Sequence, residues 1–253
     1  MKESNIAAQL YTLRDFLKTP EEIGQALKKV RAIGYSAVQA SGVGPVDPRE
    51  LKRMTEEAGL KICASHISYD RLKNDLDAVL EEHKIWGCKY VGLGIMPQQF
   101  RESRDGYLAF AAEFNEVSKK IFSHGLKFIY HNHNLELERF GKETGLDLLL
   151  NNTDPETFGL ELDTYWIQAG GGNPVEWIRK VKGRMEVVHF KDMAVSGFNQ
   201  LFAEIGEGNL NWSAIIEACR ETGVEWYAVE QDVCRRDPFE SLQISYEYLK
   251  KFF

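Results

Sequence analysis

The chain lacks an excess of positive charge and has no long apolar run. Its 31 Lys and Arg residues are outnumbered by 38 Asp and Glu residues, which gives a net charge of −7. A nucleic-acid surface needs a basic stripe, so this balance argues against a nucleic-acid partner. No run of about 18 apolar residues occurs, so neither a transmembrane helix nor a membrane partner is predicted. The amino terminus carries no recognisable signal peptide, and we expect a cytoplasmic protein.

Paired cysteines and linker-like segments are also missing. None of the four cysteines forms a CxxC pair, and each lies in a different predicted unit. We therefore expect reduced thiols and no structural zinc site built from thiolates. No low-complexity tract or Ser/Pro-rich linker divides the chain. The sequence predicts one domain over residues 1–253.

Short β-branched and aromatic runs alternate with longer segments whose apolar residues are three or four positions apart. The predicted strands are Ile6–Thr12, Ala37–Gly42, Lys61–Ile67, Tyr90–Ile95, Lys127–His133, Phe158–Asp163, Glu186–Asp192 and Trp226–Asp232. A helical pattern follows each of them, and this count is that of a closed parallel barrel. The predicted fold class is therefore α/β, a single-domain (β/α)8 TIM barrel.

Four predicted helices share one starting motif, which is a capping residue, then Pro, any residue and Glu. The capping residues are Thr19, Asp47, Asn173 and Asp237. We expect each cap oxygen to accept from free N–H groups of the first turn and each Glu to reach back to the cap. The longest predicted helices are Leu72–Trp86 and Ser103–His124.

The fifth predicted strand changes from apolar to ligand-type residues at its end. His131 and His133 share one face because alternate side chains of a strand point the same way, and Glu136 follows three residues later. The next three strands also end in such residues, at Asp163, His189 and Glu230. In a barrel these ends meet at one face, so the sequence predicts one shared divalent metal ion. Carboxylates and imidazoles suit Mn²⁺, Co²⁺, Fe²⁺, Mg²⁺ or Zn²⁺.

Other polar and aromatic residues lie at the same strand ends. Tyr11 and Arg14 follow the first strand, His66 lies in the third, and Trp166 and Lys191 belong to the ends of the sixth and seventh. We predict that they bind substrate: His66 by direct contact, the aromatic rings by stacking on a sugar, and Lys191 by facing an anionic oxygen. For His66 and His133, a hydrogen-bonded histidine that supports the site without touching substrate is the alternative. Simple packing of the rings and a purely structural lysine are the alternatives.

Two features near the seventh strand carry weaker hypotheses. Asp192 is predicted to orient a ligand histidine, since metal-bound histidines usually donate their other N–H group to a carboxylate or carbonyl. The turn at Glu204–Asn209 offers backbone groups for a phosphate, although its glutamates would repel one.

Six motifs resemble the xylose isomerase-like barrel superfamily, whose members are commonly labelled sugar phosphate isomerase/epimerase. They are QLYTLRD at 9–15, YHNHNLE at 130–136, ELDTYW at 161–166, VHFKD at 188–192, EIGEGN at 204–209 and VEQD at 229–232. The resemblance spans nearly the whole chain. It implies metal ligands on strands five to eight, usually Glu, Asp, His and Glu.

Asp163, His189 and Glu230 match this family pattern directly, whereas strand five departs from it. His131 stands at the usual glutamate position, and Glu136 lies a short distance beyond. Either residue could complete the set. The sequence-based prediction favours Glu136 as the ligand, with His131 nearby.

The resemblance implies a divalent-metal-dependent isomerase or epimerase of a sugar or sugar phosphate. Such an enzyme removes an α-proton and passes through a metal-stabilised enediolate. The predicted catalytic residues are Glu230, Glu136 and His133, and His133 is also expected to contact substrate. The predicted ion is Mn²⁺, Co²⁺, Zn²⁺ or Mg²⁺.

Three other functions use the same barrel. A metal-dependent lyase or dehydratase acting on an inosose or 3-keto-glycoside is the main alternative, because it needs the same constellation of residues. A non-catalytic sugar-binding barrel and a metal-dependent nuclease are the others. The predicted partner is a small carbohydrate, and the oligomeric state is left open, a homo-oligomer included.

Overall fold

The computed structural model describes residues 3–252, without the side chain of Ser4. Its main sheet consists of β1 Ile6–Gln9, β2 Ala37–Ala40, β3 Lys61–His66, β4 Tyr90–Leu93, β5 Lys127–His131, β6 Phe158–Glu161, β7 Val187–Phe190 and β8 Trp226–Val229. Strands β1 to β6 pair in sequence and in parallel, and β8 pairs with both β1 and β7. A parallel bridge between Asp163 and His189 links β6 to β7. The predicted (β/α)8 barrel is therefore confirmed.

The helices lie between successive strands. In the described part of the chain they are α1 Pro20–Ile33, α2 Pro48–Glu57, α3 Tyr69–Asn74, α4 Leu76–Trp86, α5 Gln98–Arg101, α6 Arg104–Ser123, α7 Gly145–Asn152, α8 Thr164–Ala169, α9 Pro174–Lys180, α10 Trp212–Thr222 and α11 Pro238–Leu249. The large apolar core fills the space between strands and helices. Between residues 3 and 252, no helix is both long and apolar enough to cross a bilayer.

The four predicted helix caps are present. Side chains of Thr19, Asp47, Asn173 and Asp237 each accept a hydrogen bond from the first turn of their helix. Among these four, the reciprocal bond from Glu back to the cap forms only in α1, between Glu22 and Thr19. At α2 the corresponding Glu50 instead pairs with Arg53, at 2.6 Å. The motif thus predicted the helix starts better than it predicted the reciprocal bond.

The predicted strands are too long at their carboxyl ends. After β1 the chain forms a 3₁₀ helix over Leu10–Phe16, and after β7 it forms a hairpin of Asp192–Ser196 with Asn199–Ala203. The predicted helix 72–86 is also interrupted, because Asp75 takes φ −138° and ψ 32° between α3 and α4. The segments after β1 and β7 thus leave the sheet at the carboxyl end of the barrel instead of extending it.

Candidate active site

Strand alternation builds a polar layer above a small apolar barrel interior. Ala7 and Ala37 belong to a buried cluster inside the barrel, separate from the main core. Two residues further along the same strands come Gln9 and Gln39, which are neighbours in register and fully buried. Because side chains two apart share a face, every inward position at this level lies near the carboxyl end of the barrel. The polar residues described below occupy these positions.

Four predicted residues meet in this layer. Ligand-type atoms of His131, Asp163, His189 and Glu230 all lie within 4.8 Å of one another, and the four residues are buried. His189 Nδ1 is 3.0 Å from Glu230 Oε2 and 3.8 Å from Asp163 Oδ2. His131 Nε2 is 3.3 Å from Asp163 Oδ2. Side chains from four strand ends therefore converge on one small volume.

Asp163 has two separate roles at the end of β6. Its Oδ1 accepts from the Trp166 N–H at 3.0 Å and so caps α8. Its Oδ2 faces His131 and His189. Burial would raise the pKa of this carboxyl, but the charge of Lys191 and contacts with the two histidines hold it below its usual value. The residue is thus both a helix cap and a buried anion facing the centre.

Lys191 supplies a buried positive charge to the same centre. Its Nζ lies 2.9 Å from Asp163 Oδ2, 2.8 Å from Glu230 Oε2 and 2.6 Å from Asp232 Oδ2. Burial opposes the ammonium form, yet the three carboxylates outweigh it and raise the pKa of Lys191 well above its usual value. Lys191 therefore stays charged and cannot act as a nucleophilic amine. It also lowers the pKa of Glu230 against the effect of burial.

The donor set fits a divalent cation. Two imidazoles and two carboxylates are ligands that Mn²⁺, Co²⁺ and Zn²⁺ accept. His131 Nδ1 lies 3.0 Å from the carbonyl oxygen of Gly94, which can only accept, so Nδ1 carries a proton and Nε2, which faces Asp163, is the nitrogen that a metal ion would take. A carboxylate oxygen that accepts one N–H of Lys191 keeps a further lone pair. His131, Asp163, His189 and Glu230 could hold the ion without displacing Lys191.

Below this centre lies a further buried carboxylate, Glu161 on β6, which the sequence analysis did not select. Its Oε1 accepts from Gln39 Nε2 at 2.9 Å and lies 3.3 Å from His189 Nε2. Its Oε2 lies 2.5 Å from His66 Nε2. Burial would raise the pKa of Glu161, but His189 and His66 hold it below its usual range. Glu161 thus links three side chains across the barrel interior.

His189 is held from both sides of its ring. Nε2 lies 2.7 Å from Gln39 Oε1, and Nδ1 faces Glu230. Burial alone would lower the pKa of His189, but Glu161 and Glu230 raise it to about 10. In the metal-free protein the ring is therefore an imidazolium, and a metal ion that binds at Nδ1 must displace a proton.

Glu136 does not join the cluster, contrary to the strand-five ligand favoured from the sequence. Its Oε1 accepts from the Tyr130 hydroxyl at 2.6 Å and its Oε2 from the His133 N–H at 2.7 Å. The side chain is fully buried beneath the turn that follows β5. Both carboxylate oxygens thus stabilise this turn, and His131 is the strand-five side chain that faces the centre.

His133 and Trp166 pack against each other beside the centre, with ring centroids 5.3 Å apart. In the described part of the chain, His133 Nδ1 and Trp166 Nε1 are buried without a hydrogen-bond partner. Burial, followed by the charges of His131 and Lys191, lowers the pKa of His133 to about 2. The His133 ring is therefore neutral, and both orphaned atoms are free to bind water or a ligand.

Asp192 organises a loop and does not contact His189. Its carboxylate accepts hydrogen bonds from the N–H groups of Met193, Gly206, Gly208 and Leu210 and from Trp212 Nε1. A Cβ atom on Gly208 would lie 2.3 Å from Asp192 Oδ1, so only glycine fits there. The predicted orienting role is therefore wrong. The amides considered for a phosphate already bind this carboxylate.

A cavity of about 580 Å³ opens above the polar layer. Of the predicted site residues, Tyr11, His66, His131, His133 and Glu230 line it. Asp232 and a wall from Leu93 to Pro97 complete much of its surface. The volume and mixed lining are those of a small-molecule site.

Arg14, Trp166 and Lys191 are not part of that lining, and their substrate contacts stay predictions. Arg14 packs over the Tyr11 ring at 4.4 Å and donates to the carbonyl oxygen of Asp232 at 2.9 Å. Arg14 thus supports the cavity wall from behind.

Sequence reasoning missed Glu161 and Gln39, although a signal for each was present. Glu161 lies two residues before Asp163, so on an extended strand it shares the inward face. Gln39 is a polar residue within the apolar run Ala37–Ala40. A buried polar side chain needs a partner, and each of these two supplies one for the other.

Comparison with known proteins identifies a family for the chain. The model of the xylose isomerase-like TIM barrel family matches residues 27–252. An inosose dehydratase of Lacticaseibacillus casei is 23% identical over 265 residues, covering 89% of this chain and 88% of the relative.

Solved structures agree on the fold. A sugar phosphate isomerase/epimerase from Parabacteroides distasonis superposes with a TM-score of 0.82 at 29% identity, covering 97% of each chain. A probable 3-DHS dehydratase from Bacillus anthracis, at 11% identity and a TM-score of 0.75, covers 97% of this chain and 98% of that one and shares the fold. The family match covers most of the chain, and the chain belongs to the xylose isomerase-like TIM barrel family.

Proposed function

We propose that this protein is a divalent-metal-dependent isomerase or epimerase of a small carbohydrate, working by removal of an α-proton. The observation that carries the proposal is the convergence of His131, Asp163, His189 and Glu230 beside the 580 Å³ cavity. These four residues are the proposed ligands. The ion is Mn²⁺, Co²⁺, Zn²⁺ or Mg²⁺, and when bound it would polarise the carbonyl and neighbouring hydroxyl of a sugar.

Glu230 is the proposed base. Its Oε2 contacts both Lys191 and His189, whereas Oε1 has no hydrogen-bond partner in the described part of the chain. The residue lines the cavity and its lowered pKa keeps it ionised, so Oε1 can accept a proton from a bound sugar. Lys191 balances the negative charge that would otherwise repel an electron-rich substrate.

Histidines on the cavity wall are the proposed substrate contacts. His66 and His133 both line the cavity, and the orphaned His133 Nδ1 can bond a sugar hydroxyl. Burial lowers the pKa of His133 to about 2, so its ring stays neutral and suits a hydrogen bond to a hydroxyl. We therefore assign it to binding. Glu136 is not retained as a ligand or acid/base, since the turn after β5 uses both of its oxygens.

Chelation and one substitution test this proposal. Removal of divalent ions should abolish turnover, and Mn²⁺ or Co²⁺ should restore it. Glu230→Gln should abolish turnover of the reconstituted enzyme while circular dichroism and thermal melting stay near those of the parent. Activity that chelation leaves unchanged would refute the metal requirement. Near-normal activity of Glu230→Gln would refute Glu230 as the base.

A second candidate function is dehydration of a keto-inositol or related keto-sugar. It is favoured by the resemblance to inosose dehydratases over 89% of this chain. The first step, α-proton removal, is the same in both reactions. They differ in whether a proton is returned to carbon or a β-hydroxyl leaves as water.

Turnover in deuterated water separates the two candidates. A panel of ketoses, ketose phosphates and keto-inositols is incubated with the metal-loaded protein, and the products are analysed by NMR and mass spectrometry. An isomerase or epimerase gives a product isomeric with its substrate that carries deuterium at the reacting carbon. A dehydratase gives a product that has lost water.

A further inference from the structure

The buried carboxylate of Glu161 has no direct route to a substrate. It is fully buried, and it is absent from the lining of the cavity. Its polar contacts are Gln39 Nε2, His66 Nε2 and His189 Nε2. Any effect on chemistry must therefore pass through these three side chains.

We propose that Glu161 is a positioning residue that fixes which ring nitrogen of His66 and of His189 carries the proton. An ionised carboxylate has no hydrogen to donate, so each nitrogen that contacts it must be an N–H group. The arrangement assigns a proton to Nε2 of both histidines, so Nδ1 is the nitrogen that can offer a lone pair to a hydroxyl or a metal ion. The His66 branch is independent of the proposed function, whereas the His189 branch rests on it.

The His66 branch is a direct contact. Nε2 lies 2.5 Å from Glu161 Oε2, so in the neutral ring the proton is on Nε2. Nδ1 has no hydrogen-bond partner among the described residues, and it faces the position where a Cβ atom on Gly94 would lie, 2.9 Å away. Both His66 and Gly94 line the cavity. The unprotonated Nδ1 is therefore available to accept from a bound hydroxyl.

The His189 branch runs mainly through Gln39. Glu161 Oε1 accepts from the Gln39 amide N–H at 2.9 Å, which fixes the orientation of this amide. The Gln39 oxygen then lies 2.7 Å from His189 Nε2 and can only accept, so Nε2 must carry a proton. With Nε2 occupied in this way, Nδ1 is the ring nitrogen left for a metal ion. Nδ1 is the nitrogen that faces Asp163 and Glu230.

The two branches end at different histidines, His66 and His189, so each branch can be tested separately. One carboxylate on β6 reaches β3 directly and β7 through β2. Partners behind metal ligands typically change metal affinity by about 10–100-fold when they are removed. A purely structural carboxylate would change stability without changing which nitrogen is protonated.

The test uses the full chain with ¹⁵N-labelled histidines at about pH 8, without metal and with Zn²⁺, which is diamagnetic. Long-range ¹H–¹⁵N spectra distinguish protonated, unprotonated and metal-bound ring nitrogens, and His66→Gln and His189→Gln assign the signals. The parent should show protonated Nε2 in His66 in both states. With Zn²⁺, His189 should show a metal-bound Nδ1 and a protonated Nε2.

Two variants separate the branches. Glu161→Gln, which keeps the side-chain shape, should give a mixture of the two His66 tautomers and weaken Zn²⁺ binding at least tenfold by calorimetry. Gln39→Leu should weaken Zn²⁺ binding and leave the His66 signals unchanged. His83→Gln is the matched control, because His83 is equally buried but bonds to Ser65 and Val79 outside this network. It should change neither readout.

Unchanged His66 tautomer and Zn²⁺ affinity within twofold in Glu161→Gln would overturn the proposal. Unchanged Zn²⁺ affinity in Gln39→Leu would overturn the His189 branch. A parent protein that binds no Zn²⁺ at His189 would refute the proposed metal centre instead. In that event the His66 spectra of the metal-free parent and of Glu161→Gln still decide the role of Glu161.

Discussion

Replacing Asp192 by Asn tests whether this carboxylate stabilises the loop after β7 through both of its oxygens. Oδ1 accepts from two backbone N–H groups, and Oδ2 accepts from two more and from the Trp212 indole. Asn has only one acceptor oxygen. Its best orientation keeps the three donors on one side and places its own NH₂ group against Met193 N–H and Leu210 N–H. Two hydrogen bonds to a charged acceptor are lost.

The expected loss is large for an isosteric change. A hydrogen bond to a charged group contributes about 1.5–3 kcal/mol, so two of them give about 3–6 kcal/mol. For a chain of this size 1 kcal/mol shifts Tm by about 2–4 °C, and Asp192→Asn should therefore lower Tm by at least about 6 °C. Equilibrium urea unfolding followed by circular dichroism gives the free energy of unfolding directly.

Asp237→Asn is the matched control for this measurement. Asp237 caps α11 with Oδ1 alone, which accepts from Phe239 N–H and Glu240 N–H. Asn caps a helix about as well as Asp, so this variant should lose less than about 1 kcal/mol. Equal losses in the two variants, or a loss below about 1 kcal/mol in Asp192→Asn, would show that the count of accepted hydrogen bonds does not govern stability here.

Two further predictions concern buried histidines and the strand-five ligand. Burial lowers the pKa of His83 from 6.5 to about 4 in the folded protein. As pH drops from 6.5 to 4, the unfolded chain takes up a proton at His83 before the folded protein does, so the free energy of unfolding should fall by up to about 3 kcal/mol. His83→Gln should flatten the Tm profile across that window, and an unchanged profile would contradict the assignment. Glu136→Gln should leave Mn²⁺ affinity within about twofold, whereas His131→Gln should weaken it at least tenfold; the opposite ranking in calorimetry would restore Glu136 as the ligand.

The barrel was predictable because its signals are local. Periodicity, caps and strand count depend on residues close together in the chain, and they correctly predicted eight parallel strands with a helix after each. Strand ends were less predictable. Residues such as Leu10–Phe16 and the hairpin from Asp192 are β-like in composition, but the closed barrel leaves no neighbour with which they can continue the sheet.

The convergence of Asp163, His189 and Glu230 was predictable for a different reason. Once the barrel is accepted, strand ends are brought to one face by topology, and no side-chain detail is needed. The same argument did not identify the strand-five ligand, because both His131 and Glu136 were candidates. His131 lies on the inward face of β5, whereas Glu136 lies beyond the strand, where alternation no longer specifies direction. The turn after β5, and not the strand itself, determines the position of the Glu136 carboxylate.

Glu161 and Gln39 show what a sequence pattern leaves undetermined. Alternation places both side chains on the inward face, and burial requires a hydrogen-bond partner for each of them. Neither rule identifies that partner. The partner depends on register across the barrel: Gln39 on β2 faces Glu161 on β6 although 122 positions separate them in the chain. Such contacts cross the interior of the closed barrel and join residues that are far apart in the chain. These contacts, which sequence reasoning did not reveal, hold His66 at the cavity wall and His189 beneath it.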